Sequence, residues 1–521
     1  MSALVTDQFR ILNATNFIES VDNDSYYVWV GLTNPNIYTG FGRNENWDGD
    51  GVTNGVVPNP IDNLDYLTQY EDTLLFGKKV ASSNIRRVIR RVDWVRGKKY
   101  DMYRHDYSIS NLSPVAKRAR LYDSEYYVLN SDYKVYICIQ NGSSGINTTG
   151  NQSLYEPTHT DLEPTVAGTG GDGYFWKYLF TVSPGDIVKF DSTEYITLPN
   201  NWSTSTDSQI VSVRENGDSE VNDNQIKTVY IDNPGENYSP GSHTVPILGN
   251  GTGGEVSVTI NSNGEIINTT VTSGGKGYTY GIVDLGPLQP GGNIPNPARL
   301  IPIIPPSRGH GYDLYKELGA DRVMIYSRFD DSSRDFPINT KFCQIGILKN
   351  PTKFVGIETF TDSQFSGLYA INFSEVNDTL PTIGEKITQT VSGGIAVGYV
   401  ASYDSDTKVL KYFRDRSLYY GSTYDQTDYV GVSTEGNANI NFSNTGGNVV
   451  GPSGFNGQIS SLSGITTTIN GAIVNLGVTF TDGLANPEIN KKTGDIIYID
   501  NRPLVSRNVR QKEDIKIILE F

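Results

Sequence analysis

The chain has 521 residues and a formal net charge of −16 at pH 7, an acidic balance that argues against general binding to nucleic acid or to an anionic membrane. That length allows about two to four domains, the 37% of hydrophobic residues is enough for their cores, and no run approaches the ~18 apolar residues of a spanning helix. The load of 54 Gly, 33 Tyr and 19 Phe against 3 Met favours short aromatic strands and many turns over long helices.

The first residues, Met1 to Leu12, lack the basic start and apolar core of a secretory signal, so the chain is expected to be made in the cytosol and soluble. Tyr26 to Val30 forms a strand candidate ended by Gly31, followed by a loop rich in Asn, Gly, Asp and Pro. Ile61 to Ala81 is expected to hold a helix capped by Asp62 or Asn63. Tyr126 to Ile139 reads as a hairpin about Ser131-Asp132, and Gly171-Asp172-Gly173 introduces a heavy aromatic strand, Tyr174 to Phe180.

Residues 1–205 thus read as one mixed, aromatic-rich part, and the character changes over 206–300. Segments 229–242 and 270–282 are related copies: a strand, a glycine turn carrying Tyr238 or Tyr278, and a second short strand. Between them an alternating strand pair turns at Asn263-Gly264, so this part is expected to be an inserted all-β module. In 301–351, Gly309 and Gly311 flank His310, Asp313 precedes a short helix through Leu314, Tyr315 and Leu318, and Gly319 stops it. Strand candidates follow around Val323 and Ile325 and again at Phe342, Ile345 and Ile347, with Pro337 between them.

The part 352–475 reads as a second β insertion whose strands break at Gly393-Gly394 and Asp404, a small twisted barrel or sandwich. Its stretch from Asp425 to Asn470 is poor in charge and is expected to be a long loop or loose β arm. Two clean strands, Gly494 to Pro503 and Asp514 to Phe521, close the final part, 476–521.

The signals for chemistry are few. His105, His159, His243 and His310 show no metal-binding spacing, and His310 between two glycines fits a packing or capping histidine better than a base. Cys138 and Cys343 sit among strand-forming residues and are expected to be buried free thiols. Asn44 to Gly51 resembles the start of a calcium loop, but its twelfth position falls on Gly55 or Val57 instead of a bidentate Glu, so a surface loop is expected. Phosphate-loop, dinucleotide and nucleophile-elbow patterns are absent, and no catalytic, cofactor or metal residues are assigned. One charge feature stands out: Arg86, Arg87, Arg90, Arg91, Arg96, Lys98 and Lys99, followed by Arg104, Lys117, Arg118 and Arg120, with only Asp93, Asp101 and Asp106 among them. This basic island is a candidate docking surface for an acidic partner or a second copy, or else a solvated face paired with local acids.

A series of short motifs runs through both termini: Val5-Thr6 with Phe9-Arg10, Phe41-Gly42-Arg43 with Trp47, and Arg91 with Asp93-Trp94. Gly171-Asp172-Gly173-Tyr174 with Trp176, Tyr178, Leu179 and Phe180 comes next, then Glu194-Tyr195-Ile196. Gln344-Ile345 with Asn350-Pro351, and Ile497-Tyr498-Ile499 with Asn501-Arg502-Pro503, complete it before the last strand ends in Phe521. In this order they resemble the baseplate wedge proteins encoded by gene eight in T4-like contractile-tailed phages. The resemblance covers roughly 1–205, 335–351 and 476–521, and leaves out 209–300 and most of 352–475. It implies a mainly β (α+β) fold with a β-sandwich core and small mixed α/β parts, to which the two modules are added. It also implies a non-enzymatic homodimer in the virion tail baseplate, assembled in the host cytoplasm. The partners implied are the products of genes six, seven and ten, with no cofactor.

Two rival expectations stand beside it. The inserted modules could be adhesin-like and touch host glycans through Tyr238 and Tyr278, although packing of both rings under their own glycine turns is the favoured reading. A glycan hydrolase would need two carboxylates facing across a groove, and nothing in the sequence singles out such a pair.

Overall fold

The computed structural model describes residues 6–31, 74–218, 225–288, 296–330, 341–382, 385–414, 440–506 and 511–521. The protein is mainly β, with 44% strand and 11% helix. It folds as two compact units, one made of Met1–Phe17, Arg86–Met324 and Ile518–Phe521, the other of Ile18–Ile85 and Ile325–Ile517.

In the first unit the hairpin Tyr127–Leu129 and Lys134–Asn141 continues through Tyr174–Thr181 to Thr165–Val166 in one antiparallel sheet. Its core is aromatic. Tyr174 and Trp176, two apart on one strand and so on one face, stack at 5.3 Å, with Tyr100 edge-on to Trp176 at 5.8 Å. Such rings each remove about 150–250 Å² from water. Their hydroxyls must still be satisfied, and they reach loop carbonyls: Tyr174 to Asn151, Tyr136 to His159 and Tyr126 to Glu317, at 2.8, 2.7 and 2.6 Å. Beside this sheet the helix Leu314–Leu318 forms as the sequence predicts. The Asp313 carboxylate accepts from the Lys316 N–H at 3.2 Å, and Gly319, at φ 63°, ends the helix in the left-handed conformation.

The same unit holds the first β module, a four-stranded antiparallel sheet in the order Ile266–Lys276, Thr252–Ile260, Gly241–Gly249, Gly281–Val283. The turn at Asn263-Gly264 joins Thr252–Ile260 to Ile266–Lys276; the Asn261 side chain accepts from the Asn263 and Glu265 N–H groups, and Gly264 takes φ 77°. Tyr278 fills a socket of glycines: a Cβ on Gly251, Gly254 or Gly275 would approach it to 2.4, 2.9 or 2.7 Å. Gly275 comes from the repeat copy itself, and Gly251 and Gly254 come from the neighbouring strand region.

The second unit contains a five-stranded sheet ordered Gln364–Ser366, Leu74–Lys79, Tyr26–Gly31, Lys341–Lys349, Asp495–Ser506. Tyr26–Gly31 is buried along its whole length, as expected for a central strand flanked on both sides. Trp29 lies opposite Gly77 on one neighbour and Gly346 on the other. A Cβ on Gly346 would come within 2.4 Å of the Trp29 indole, and one on Gly77 within 2.4 Å of the Phe365 ring. Each ring thus lies over the glycine directly opposite it on the next strand, where the missing Cβ leaves it room.

Six further strands of this unit, Tyr369–Val376, Val409–Phe413, Gly394–Asp404, Lys386–Val391, Val449–Val450 and Asn456–Ile459, pair in that order, and the last returns to the first. They close a small barrel, which removes the sheet edges. The sequence left barrel and sandwich open for this part, and the pairing decides for the barrel.

The helix expected over Ile61 to Ala81 is corrected where the chain is described. Leu74–Lys79 is a strand, held between Tyr26–Gly31 and Gln364–Ser366, and pairing on both edges overrides any local helical preference. Three helices were not anticipated: Asp7–Asn23, Pro184–Phe190 and Ser208–Asp218. The long loop or loose β arm expected over Asp425 to Asn470 is corrected in its described part, from 440 onward: Val449–Val450 and Asn456–Ile459 are strands of the barrel, and Gly464–Ile469 pairs with Ala472–Phe480. The calcium-like stretch Asn44 to Gly51, the motif residues Phe41 to Trp47 and Pro337 lie outside the described residues.

Candidate functional site

The basic island begins on the strand Ile85–Arg90, which pairs with Tyr195–Leu198. Alternation along this strand sends Arg87 inward, 3% exposed, with its guanidinium 3.8 Å above the Tyr315 ring. Arg86 turns the other way and meets Asp186 at 2.8 Å, on the helix Pro184–Phe190. Arg90 donates to the Asp123 carbonyl at 2.8 Å. Arg91 pairs with Asp93 at 2.8 Å and with Asp191 at 3.0 Å. Lys98 meets Glu125 at 2.9 Å and Lys99 donates to the Thr149 hydroxyl at 2.8 Å.

Further along, Arg104 is 5% exposed and makes two bonds to the Asp106 carboxylate, 2.9 and 2.7 Å, while lying 4.1 Å over Tyr230. Burial works to raise the Asp106 carboxyl, and the Arg104 guanidinium overrides it, holding the group below the ordinary carboxylate range. Arg120 pairs with Asp7 at 2.5 Å. Five of the island's eleven cations, Arg86, Arg91, Lys98, Arg104 and Arg120, thus meet a carboxylate, from Asp93 and Asp106 close by and from Asp7, Glu125, Asp186 and Asp191 farther away in the chain. Arg87, Arg90 and Lys99 are engaged by a ring, a carbonyl and a hydroxyl. Arg96, Lys117 and Arg118 remain exposed, with no ion-pair partner among the described residues.

The structure also forms a cleft of about 760 Å³ that the sequence did not reveal. One wall carries Phe175 and Gln140 from the aromatic sheet; the other is the module's edge strand from Asn268 to Lys276, with Glu163, Gln225 and Lys227 between. Its one sequence signal is Phe175, an outward residue between buried Tyr174 and Trp176. A second recess of about 480 Å³ includes Arg86, Asp186 and Asp207.

His310 is 4% exposed, its Nδ1 is 2.6 Å from the Glu317 carboxylate, and Tyr103 packs edge-on at 4.7 Å. It packs, as the sequence suggests. Cys138 is a buried free thiol, pushed well above its ordinary value by burial; the side chain of Cys343 lies outside the described residues. Tyr238 and Tyr278 are 3% and 2% exposed, and their hydroxyls accept from the Ala298 and Gly254 N–H groups. They are therefore unavailable as glycan contacts at loop tips. Among the described residues, no three His, Cys, Asp or Glu side chains gather as a metal site, and no helix is long and apolar enough to cross a membrane.

The motif residues that carry the family resemblance pin loops to strands. Asp172 accepts from the Leu154 and Tyr174 N–H groups at 3.0 and 3.1 Å, between glycines at φ 93° and 85°. Asn350, at φ 49°, accepts from the Ser25 N–H and donates to Asp24, both at 2.8 Å. The Trp94 indole donates to Ser153 at 3.0 Å.

These features define a mainly β protein of several sheets and one closed barrel, in which most polar groups along the basic stretch are engaged internally. No family model matches the chain. It is similar to the baseplate wedge protein gp8 of Enterobacteria phage T4, with 27% identity over 220 residues. That match covers 38% of this chain and 60% of the phage protein, so the chain spans less than two thirds of the relative's length. The resemblance read from the ordered motifs thus has a counterpart in a direct alignment.

Proposed function

We propose that this chain is a structural, non-enzymatic subunit of the baseplate wedge in a contractile phage tail, located in the virion. The observation that carries the reading is the 27% identity over 220 residues to a baseplate wedge protein. In this reading the chain forms a homodimer with the sandwich-type core implied by the family, and binds neighbouring wedge proteins of the kind encoded by genes six, seven and ten. It is assembled in the host cytoplasm and needs no cofactor. The internal engagement of most cations in the Arg86–Lys99 stretch suits a scaffold whose contacts are permanent. The exposed cations Arg96, Lys117 and Arg118 are the part of the island left for an acidic neighbour.

Immunogold electron microscopy of phage particles, with antibody against the module at 225–288, tests the location. Label at the distal end of the tail is expected. Particles and dissociated tails that both lack the protein would overturn the reading.

A further inference from the structure

The cleft between Phe175 and the edge strand Ile266–Lys276 is separate from the basic island. We propose that it binds a neutral oligosaccharide. Its volume of about 760 Å³ falls within the roughly 300–1,000 Å³ of small-ligand sites. Phe175 keeps 36% of its surface in water although the five residues after it are buried, so the strand presents one aromatic face to the cleft. Such a face stacks against the C–H side of a pyranose ring. The opposite wall offers hydroxyl and amide groups from Asn268, Thr270 and Thr272, all on exposed positions of the edge strand. Gln225, 7% exposed in the same lining, has an amide nitrogen with no hydrogen-bond partner among the described residues, a donor whose burial is otherwise costly.

Lys276 stands exposed at one end of the lining, and over the rest of the cleft charge does not select the ligand. The Glu163 carboxylate is already met by Lys227 at 2.8 Å and Asn216 at 3.1 Å, leaving little field for an ion. An extended peptide pairing with the edge strand is disfavoured as well. The strand bulges between Val271 and Ser273, and its Gly274 carbonyl already accepts from Ile226 at 3.1 Å.

The test uses the full chain against an array of neutral oligosaccharides built from hexose and N-acetylhexosamine units, with saturation-transfer NMR on the hits. At least one binder is expected. Phe175→Ala should weaken it about tenfold, the loss of one stacking contact. Thr270→Arg, which fills the cleft from an exposed position, should abolish binding, and both variants should keep the wild-type thermal midpoint. Tyr280→Ala, at an exposed ring outside the cleft lining, should change nothing. The proposal is overturned by an array with no binder, by full binding in both cleft variants, or by binding of extended hexapeptides in place of sugars.

Discussion

Tyrosine hydroxyls hold many of the loops in the first unit, because a phenol can bury its ring in the sheet core and still reach a carbonyl outside it. Tyr126 is fully buried and donates to Glu317, whose carboxylate in turn holds His310 and the Gly311 N–H. Tyr126→Phe should cost about 1–2 kcal/mol in denaturant unfolding, since the Glu317 carbonyl is left unpaired in a buried place. Lys177 makes the opposite case. It is 1% exposed, and burial pushes its ammonium down to about 8, with Glu163 and Glu317 pulling weakly the other way. Between about pH 8 and its ordinary 10.5 the unfolded chain holds a proton that the folded chain has shed, so this group's contribution to stability rises with pH across that window. Lys177→Met should therefore stabilise the fold at pH 7 by roughly 2–3 kcal/mol, an advantage that fades through the same window and is gone above it. The Leu162 carbonyl, to which the Lys177 ammonium donates, keeps a donor in the variant, because Asn216 also bonds to it at 3.2 Å. Thermal unfolding of both proteins from pH 7 to 11 checks this.

Strands and turns depend on small residues where a neighbour's ring or a left-handed backbone leaves no alternative. Gly346→Ala would drive a methyl into the Trp29 indole inside a sheet paired on both sides, and should destabilise by about 1–3 kcal/mol. Gly319→Ala combines φ 63° with a Cβ 2.3 Å from the Tyr122 ring, so its cost should exceed the roughly 1 kcal/mol of the conformational penalty alone. Gly97→Ala is the control: φ is 82° but nothing lies within 4 Å, so only the backbone penalty remains. Urea titrations of the three variants should rank them accordingly, with Gly97→Ala the mildest.

For the whole molecule, the expectation is assembly. Sedimentation velocity on the purified chain should give twice the chain mass, and a monomer at micromolar concentration would count against the homodimer. Within the basic stretch the structure separates two kinds of cation. Arg91→Ala breaks bonds to Asp93 and Asp191 and should alter stability by no more than about 1 kcal/mol, leaving partner binding intact. Arg96→Glu with Arg118→Glu reverses exposed, unpaired charges and should slow association with an acidic partner and change its salt dependence. Stopped-flow binding at two ionic strengths reads the difference.

By itself the sequence determined the mainly β class, the hairpin at 126–139, the capped helix after Asp313 and the glycine-set turns of the first module. Each of these rests on local chemistry: alternation, an acceptor at a helix start, a residue able to take positive φ. The ordered motifs also carried the family resemblance. Tertiary structure decided what depends on partners distant in the chain. Leu74–Lys79 became a strand because two others pair with it, and the second module closed as a barrel because Tyr369–Val376 meets Val409–Phe413. Within the basic island Arg86, Arg91 and Arg120 are paired because Asp186, Asp191 and Asp7 fold against them. The cleft beside Phe175 exists only where two sheets approach, and charge pairing and concavity are properties of space that no local pattern encodes.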